Sequence, residues 1–80
     1  MSAVCAVRNR ILQLCDERDW AIQTLASTAG VPPSSVKNIL YGKSQNPGIT
    51  TIKKLCDGFD ITLGEFFSTP EFDALEQEIK

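Results

Sequence analysis

The 80-residue chain has no histidine, one tryptophan, one tyrosine, one methionine and three cysteines. Without an imidazole there is no Ser-His-Asp or Cys-His machine, and three scattered cysteines cannot complete a four-ligand Cys/His zinc site. Cys5, Cys15 and Cys56 are therefore read as small hydrophobes in a reducing compartment, with no chemistry assigned. A phosphate-cradling loop and paired catalytic carboxylates are missing as well, so the expectation is a non-enzyme with no catalytic residue, metal or cofactor. The longest stretch free of charge, Trp20 to Val36, is full of Ser, Thr, Gln, Gly and Pro. It falls far short of the roughly 20 apolar residues of a membrane span. The first residues, with Arg8 and Arg10 inside an amphipathic pattern, lack the apolar core of a signal peptide. The expected setting is the cytoplasm, with no membrane contact.

Carboxylates are also missing from one long segment. No Asp or Glu occurs between Asp19 and Asp57, while Lys37, Lys43, Lys53 and Lys54 fall inside that gap. Up to Lys54 the chain has seven basic and three acidic residues, a balance of +4; from Leu55 onward it has one basic and seven acidic, a balance of −6. A polyanion could lie along the first part without meeting a carboxylate. The plainer reading, a solvated polar face, fits four lysines equally well, and for Lys54 it is preferred. Charge therefore needs the support of architecture.

What is present is helical periodicity. Val4, Val7, Ile11 and Leu14 recur at three and four residues and predict a first helix from Val4 to Asp16. Ile22, Leu25, Ala26 and Ala29 predict a second, ended by Gly30, with Trp20 placed to staple onto Leu25. A third begins at Pro33, where a first-turn proline is favoured, and runs to about Tyr41 with Val36, Ile39 and Leu40 inward. Tyr41 is expected to pack against the next helix. After the loop Gly42 to Gly48, Thr50 or Thr51 is expected to cap a fourth helix carrying Ile52, Leu55, Cys56 and Phe59. Thr62 and Glu65 form a capping box for a short fifth helix with Leu63, Phe66 and Phe67. Thr69-Pro70 restarts the chain in a last helix striped by Phe72, Leu75 and Ile79. No strand alternation occurs, so the fold class is all-α.

The segment Gln23 to Ile39 has the internal logic of a helix-turn-helix. Ala26 is small where another helix must cross closely, Gly30 supplies a positive φ, and Val31, Val36 and Ile39 seal the corner. Ser34, Ser35, Lys37, Asn38 and Tyr41 are left on or near the outside.

Leu25-Ala26, Gly30-Val31, Val36 and Ile39 resemble the lambda-repressor-like (Xre family) DNA-binding domain. So do Asn46-Pro47, the Thr-Ile-x-x-Leu-Cys run ending in Phe59, and Ile61 to Phe67; the resemblance covers about residues 5 to 68. It implies a five-helix domain over residues 1–68, to which residues 69–80 add a short extra C-terminal helix for dimerisation or partner contact. It further implies duplex DNA as the partner, binding as a homodimer to a palindromic operator, and no cofactor. Carried over position by position, it places Pro33, Ser34, Lys37 and Asn38 against base edges and Gln23, Thr24, Ser35, Lys43, Ser44 and Asn46 against phosphates. Asn38 suits a bidentate pair with adenine and Lys37 a contact to guanine. Two residues depart from the family pattern. Ile22 stands where many relatives place a phosphate-binding glutamine, which passes that role to Gln23 or Thr24 or leaves it unfilled, and Pro32-Pro33 removes two amide donors from the start of the recognition helix. The leading functional reading is a sequence-specific transcriptional regulator acting as a repressor. The alternative is the antitoxin of a toxin-antitoxin pair, using its acidic end, with Glu71, Asp73, Glu76 and Glu78, against a basic protein. Phe72, Leu75 and Ile79 are the expected dimer or partner contact.

Overall fold

A computed structural model describes residues 2–42 and 45–79. Six helices follow one another: α1 (Ala3–Arg18), α2 (Ile22–Ala29), α3 (Pro33–Leu40), α4 (Ile49–Phe59), α5 (Leu63–Phe67) and α6 (Pro70–Asp73). No strand occurs among the described residues. No helix among them is long and apolar enough to cross a membrane.

Local chemistry sets where the helices start and stop. Ser2 caps α1 by accepting from the Cys5 amide at 3.2 Å, so the helix starts one residue before Val4, and it runs two residues past Asp16 to Arg18. Three helices end in one way, with a left-handed residue that lets the chain fold back onto the last turn. Asp19 (φ 54°), Gly30 (φ 68°) and Asp60 (φ 61°) hold these positions. The residue after each then donates into the preceding helix: Trp20 to Cys15, Val31 to Ala26 and Ile61 to Cys56, at 2.9–3.0 Å. Glycine suits such a φ, and aspartate is among the few other residues that tolerate it. At α5 both halves of the expected capping box form: Glu65 N donates to Thr62 Oγ1 at 3.0 Å, and Thr62 N to Glu65 Oε1 at 3.1 Å.

One core joins these helices. Ile11, Leu25, Val36, Leu55, Cys56, Phe59 and Phe66 are fully enclosed, and Val7, Leu14, Cys15, Ala26, Val31, Ile39 and Ile52 complete it. α4 crosses α2 at close range. A Cβ added at Gly58 would stand 3.0 Å from Ala29 Cβ and 3.1 Å from Ala29 Cα and N. Trp20 packs against the core cluster and stacks on Phe59 with ring centroids 5.7 Å apart. The Arg18 guanidinium lies over the Phe59 ring at 5.2 Å and donates to the Phe59 carbonyl at 2.9 Å. Arg10 does the same for α5, donating from Nε to Phe66 O and from Nη2 to Glu65 O, both at 2.8 Å.

Three expectations are corrected. α4 begins at Ile49 with Gly48 as its cap and no side-chain cap bond, so Thr50 and Thr51 lie inside the first turn. α6 is only four residues long, and the stripe of Phe72, Leu75 and Ile79 does not lie on one helix. Phe72 turns into its own chain: its ring meets Phe67 at 4.9 Å edge-on and Phe66 at 6.1 Å. α6 thus packs on the body of the domain, tied to α1 by Asn9 Nδ2 donating to Glu71 Oε1 at 2.8 Å. Leu75 is half-buried, and Ile79 is 87% exposed.

Candidate nucleic-acid interface

α2, its turn and α3 form the corner that the sequence predicts. Ala26 is 1% exposed where the helices pack, and Gly30 takes the left-handed conformation of the hinge. Val31, Val36 and Ile39 are buried in the angle. With that face committed to the core, the opposite face of α3 is presented outward.

Of the residues expected at bases, Pro33, Ser34, Lys37 and Asn38 are all exposed. Of those expected at phosphates, Gln23, Thr24 and Asn46 are exposed and Ser35 is half-buried. Lys43 and Ser44 lie outside the described residues. Between α3 and the start of α4 is an open hollow of about 200 Å³ lined by Ser35, Asn38, Asn46, Pro47, Gly48 and Thr51, among others. It brings together a side chain assigned to bases and two assigned to phosphates, drawn from positions 11 residues apart. Gln45 Nε2 donates to Gly42 O at 2.5 Å. Tyr41 ends α3 at φ −105° and is 69% exposed. It does not pack against α4 as expected; it stands at the rim of this face.

The electrostatics are simpler than the charge count suggests. Among the described residues the ion pairs are Arg18 with Glu17, at 4.0 Å, and Lys53 with Asp57 one turn further along α4. Neither touches α3, so Lys37 presents its charge unopposed. Lys53, one of the lysines in the acid-free gap, is spent on Asp57. The arginines of α1 also turn inward, to helix-end carbonyls on α3, α4 and α5. Sequence reasoning placed none of these, because a single arginine in a helical stripe carries no signal of which carbonyl it meets.

The thiols stay apart from this face. Burial pushes the Cys15 and Cys56 thiols above the ordinary range. Hydrogen bonding with Ser2 holds the half-buried Cys5 below it, and Arg8 adds to that effect.

A buried small-residue corner, a glycine hinge and a second helix carried outward with polar side chains on an acid-free face define a helix-turn-helix DNA-binding domain. The family model of the Cro/C1-type HTH DNA-binding domain matches residues 10–71, and the chain belongs to that family. The chain is similar to the crystal structure of the prophage Lp1 protein 11, with a TM-score of 0.80 and 28% identity over 92% of this chain and 97% of that one. No curated protein sequence matches it. The class makes this a DNA-binding transcription regulator whose partner is duplex DNA.

Proposed function

We propose that the chain is a repressor that binds an operator of twofold symmetry as a homodimer, with α3 of each copy in a major groove. Pro33, Ser34, Lys37 and Asn38 read base edges; Gln23, Thr24, Ser35, Lys43, Ser44 and Asn46 hold phosphates. The observation that carries this is the exposed face of α3, where Lys37 and Asn38 stand free of any carboxylate and Asn38 shares a hollow with Ser35 and Asn46. An amide there can pair with the N6 and N7 atoms of adenine, while phosphate contacts fix register without reading sequence. Two copies would place their recognition helices about 34 Å apart, one turn of the duplex. Leu75 and the exposed Ile79 are the apolar side chains of the C-terminal segment left for contact between copies.

Selection of bound sequences from random duplex DNA tests the site, and two substitutions test the roles. Asn38→Ala is expected to cost about 1–3 kcal/mol on the selected duplex and to leave binding to scrambled duplex almost unchanged. Lys43→Ala is expected to weaken both alike and to lower the slope of log K against log salt by about one per subunit. Specific affinity equal to the parent's in both variants refutes the assignment of this face.

A further inference from the structure

Arg8 carries a guanidinium from α1 to the far end of α3. Its Nε donates to the Ile39 carbonyl at 2.5 Å, and its Nη1 lies 3.7 Å from Cys5 Sγ. Nη2 is shut off from solvent, and a Cβ added at Gly42 would stand 3.8 Å from it. The charge is thus enclosed between α1 and the turn that leaves α3, although the side chain belongs to the basic part of the chain. Ile39 O is one of the last four carbonyls of α3, which have no partner within the helix; the Lys37 carbonyl is taken by Tyr41 N at 2.8 Å. A cation at this end also opposes the negative pole of the helix dipole. The backbone so fastened belongs to Ile39, the residue next to the exposed Asn38 on the last turn of α3.

We infer that Arg8 is a positioning residue for DNA reading: it fixes the rotation and reach of α3 from behind and does not touch DNA. The inference rests on the assignment of α3 to the major groove. Bidentate base contacts demand placement to a fraction of an ångström, whereas phosphate contacts by flexible side chains do not. A loosened α3 therefore loses selected sequences and keeps its general hold on DNA.

Two variants test this. Arg8→Met keeps the apolar stem and removes every donor; Arg8→Gln keeps one neutral donor on a shorter stem. Each is titrated against selected and scrambled duplexes at several salt concentrations, with Asn38→Ala and Lys43→Ala alongside and circular dichroism to follow the fold. Arg8→Met is expected to weaken the selected duplex roughly tenfold and Arg8→Gln severalfold, with scrambled binding and the salt slope as in the parent. If Arg8→Met is too unstable to assay, Arg8→Gln carries the test alone. Equal losses on both duplexes with a salt slope lower by about one make Arg8 a phosphate contact and overturn the inference. Parent-like affinity for the selected duplex in the folded variants overturns it too. If Asn38→Ala and Lys43→Ala are both parent-like, the reading of α3 fails and the inference with it; if either of them loses affinity and the Arg8 variants do not, the inference alone fails.

Discussion

Replacing Gly58 by Ala sets two effects of known size against each other. Alanine inside a helix is favoured over glycine by roughly 0.5–1 kcal/mol, because it has less backbone freedom to lose. The new methyl, however, would stand 3.0 Å from Ala29 Cβ and 3.1 Å from its Cα and N, roughly 0.5 Å inside the usual 3.5–4.0 Å separation of carbon atoms. Two of these three neighbours are backbone atoms, so no rotamer change relieves the contact and α2 must move away from α4. Forcing an extra methyl into a packed contact costs about 1–3 kcal/mol, so the net expectation is a loss of about 0–2.5 kcal/mol, centred on about 1 kcal/mol. For a domain of this size each kcal/mol moves Tm by about 4–8 °C. Ala29 is the last residue of α2, directly before the Gly30 hinge. The displaced backbone is the one that aims α3, so specific DNA binding is expected to fall even where the fold is intact. Gly64→Ala is the internal control, because its Cβ would meet nothing closer than Thr62 Oγ1 at 3.7 Å. Thermal melts followed by circular dichroism should rank Gly64→Ala at or above the parent and Gly58→Ala below it. A Gly58→Ala protein that melts at or above the parent temperature refutes the close-crossing argument.

The remaining predictions concern the thiols and the C-terminal segment. At mildly alkaline pH one cysteine per native chain, Cys5, should alkylate quickly, since hydrogen bonding with Ser2 lowers its pKa while burial raises those of Cys15 and Cys56. Peptide mapping that finds Cys15 or Cys56 modified as fast as Cys5 contradicts this. Phe72→Ala should cost about 1–3 kcal/mol by emptying one place in the cluster with Phe66 and Phe67. That loss belongs to the single chain and should not vary with protein concentration; a concentration-dependent shift in Tm would mean that Phe72 works between copies.

The parts legible in the sequence are those in which one residue type answers one local requirement. Gly30 could be read as the hinge because few other side chains tolerate φ 68°, and the Thr62–Glu65 box because two side chains three residues apart satisfy each other's backbone. The extent of α6 was not legible. Phe72, Leu75 and Ile79 have helical spacing, yet Glu76 and Glu78 would load the C-terminal end of such a helix with negative charge, against its dipole. The aromatic contacts of Phe72 then reward a short turn docked on α5 over a longer free helix. The start of α4 was misplaced for a related reason. Thr50 and Thr51 are good caps in isolation, but the extended backbone at Gly48 (φ −68°, ψ 148°) lets the helix begin at Ile49 without one. In the site, exposure of the α3 face followed from the pattern of Val36 and Ile39, whereas the hollow shared by Ser35, Asn38 and Asn46 brings together residues far apart in the chain, which no local signal announces.

Charge was the least legible quantity, because a formal count weighs every cation equally. Arg8, Arg10 and Arg18 make up three of the seven basic residues before Leu55, and all three donate to carbonyls at helix ends. Lys53 is held by Asp57. The cations then left for a duplex in that part of the chain are Lys37, Lys43 and Lys54. Since each phosphate neutralised by a cation contributes about 0.9 to the salt slope, three per copy contribute about 2.7, where all seven basic residues left free would contribute about 6.3. A domain with so little electrostatic hold has a correspondingly low background affinity for arbitrary DNA. On the proposed interface, discrimination then falls to hydrogen bonds from Asn38 and its neighbours and to the pairing of two copies on one site. The placing of α3 matters more under those conditions than the number of cations around it, and spending arginines on the ends of α3, α4 and α5 is consistent with that balance.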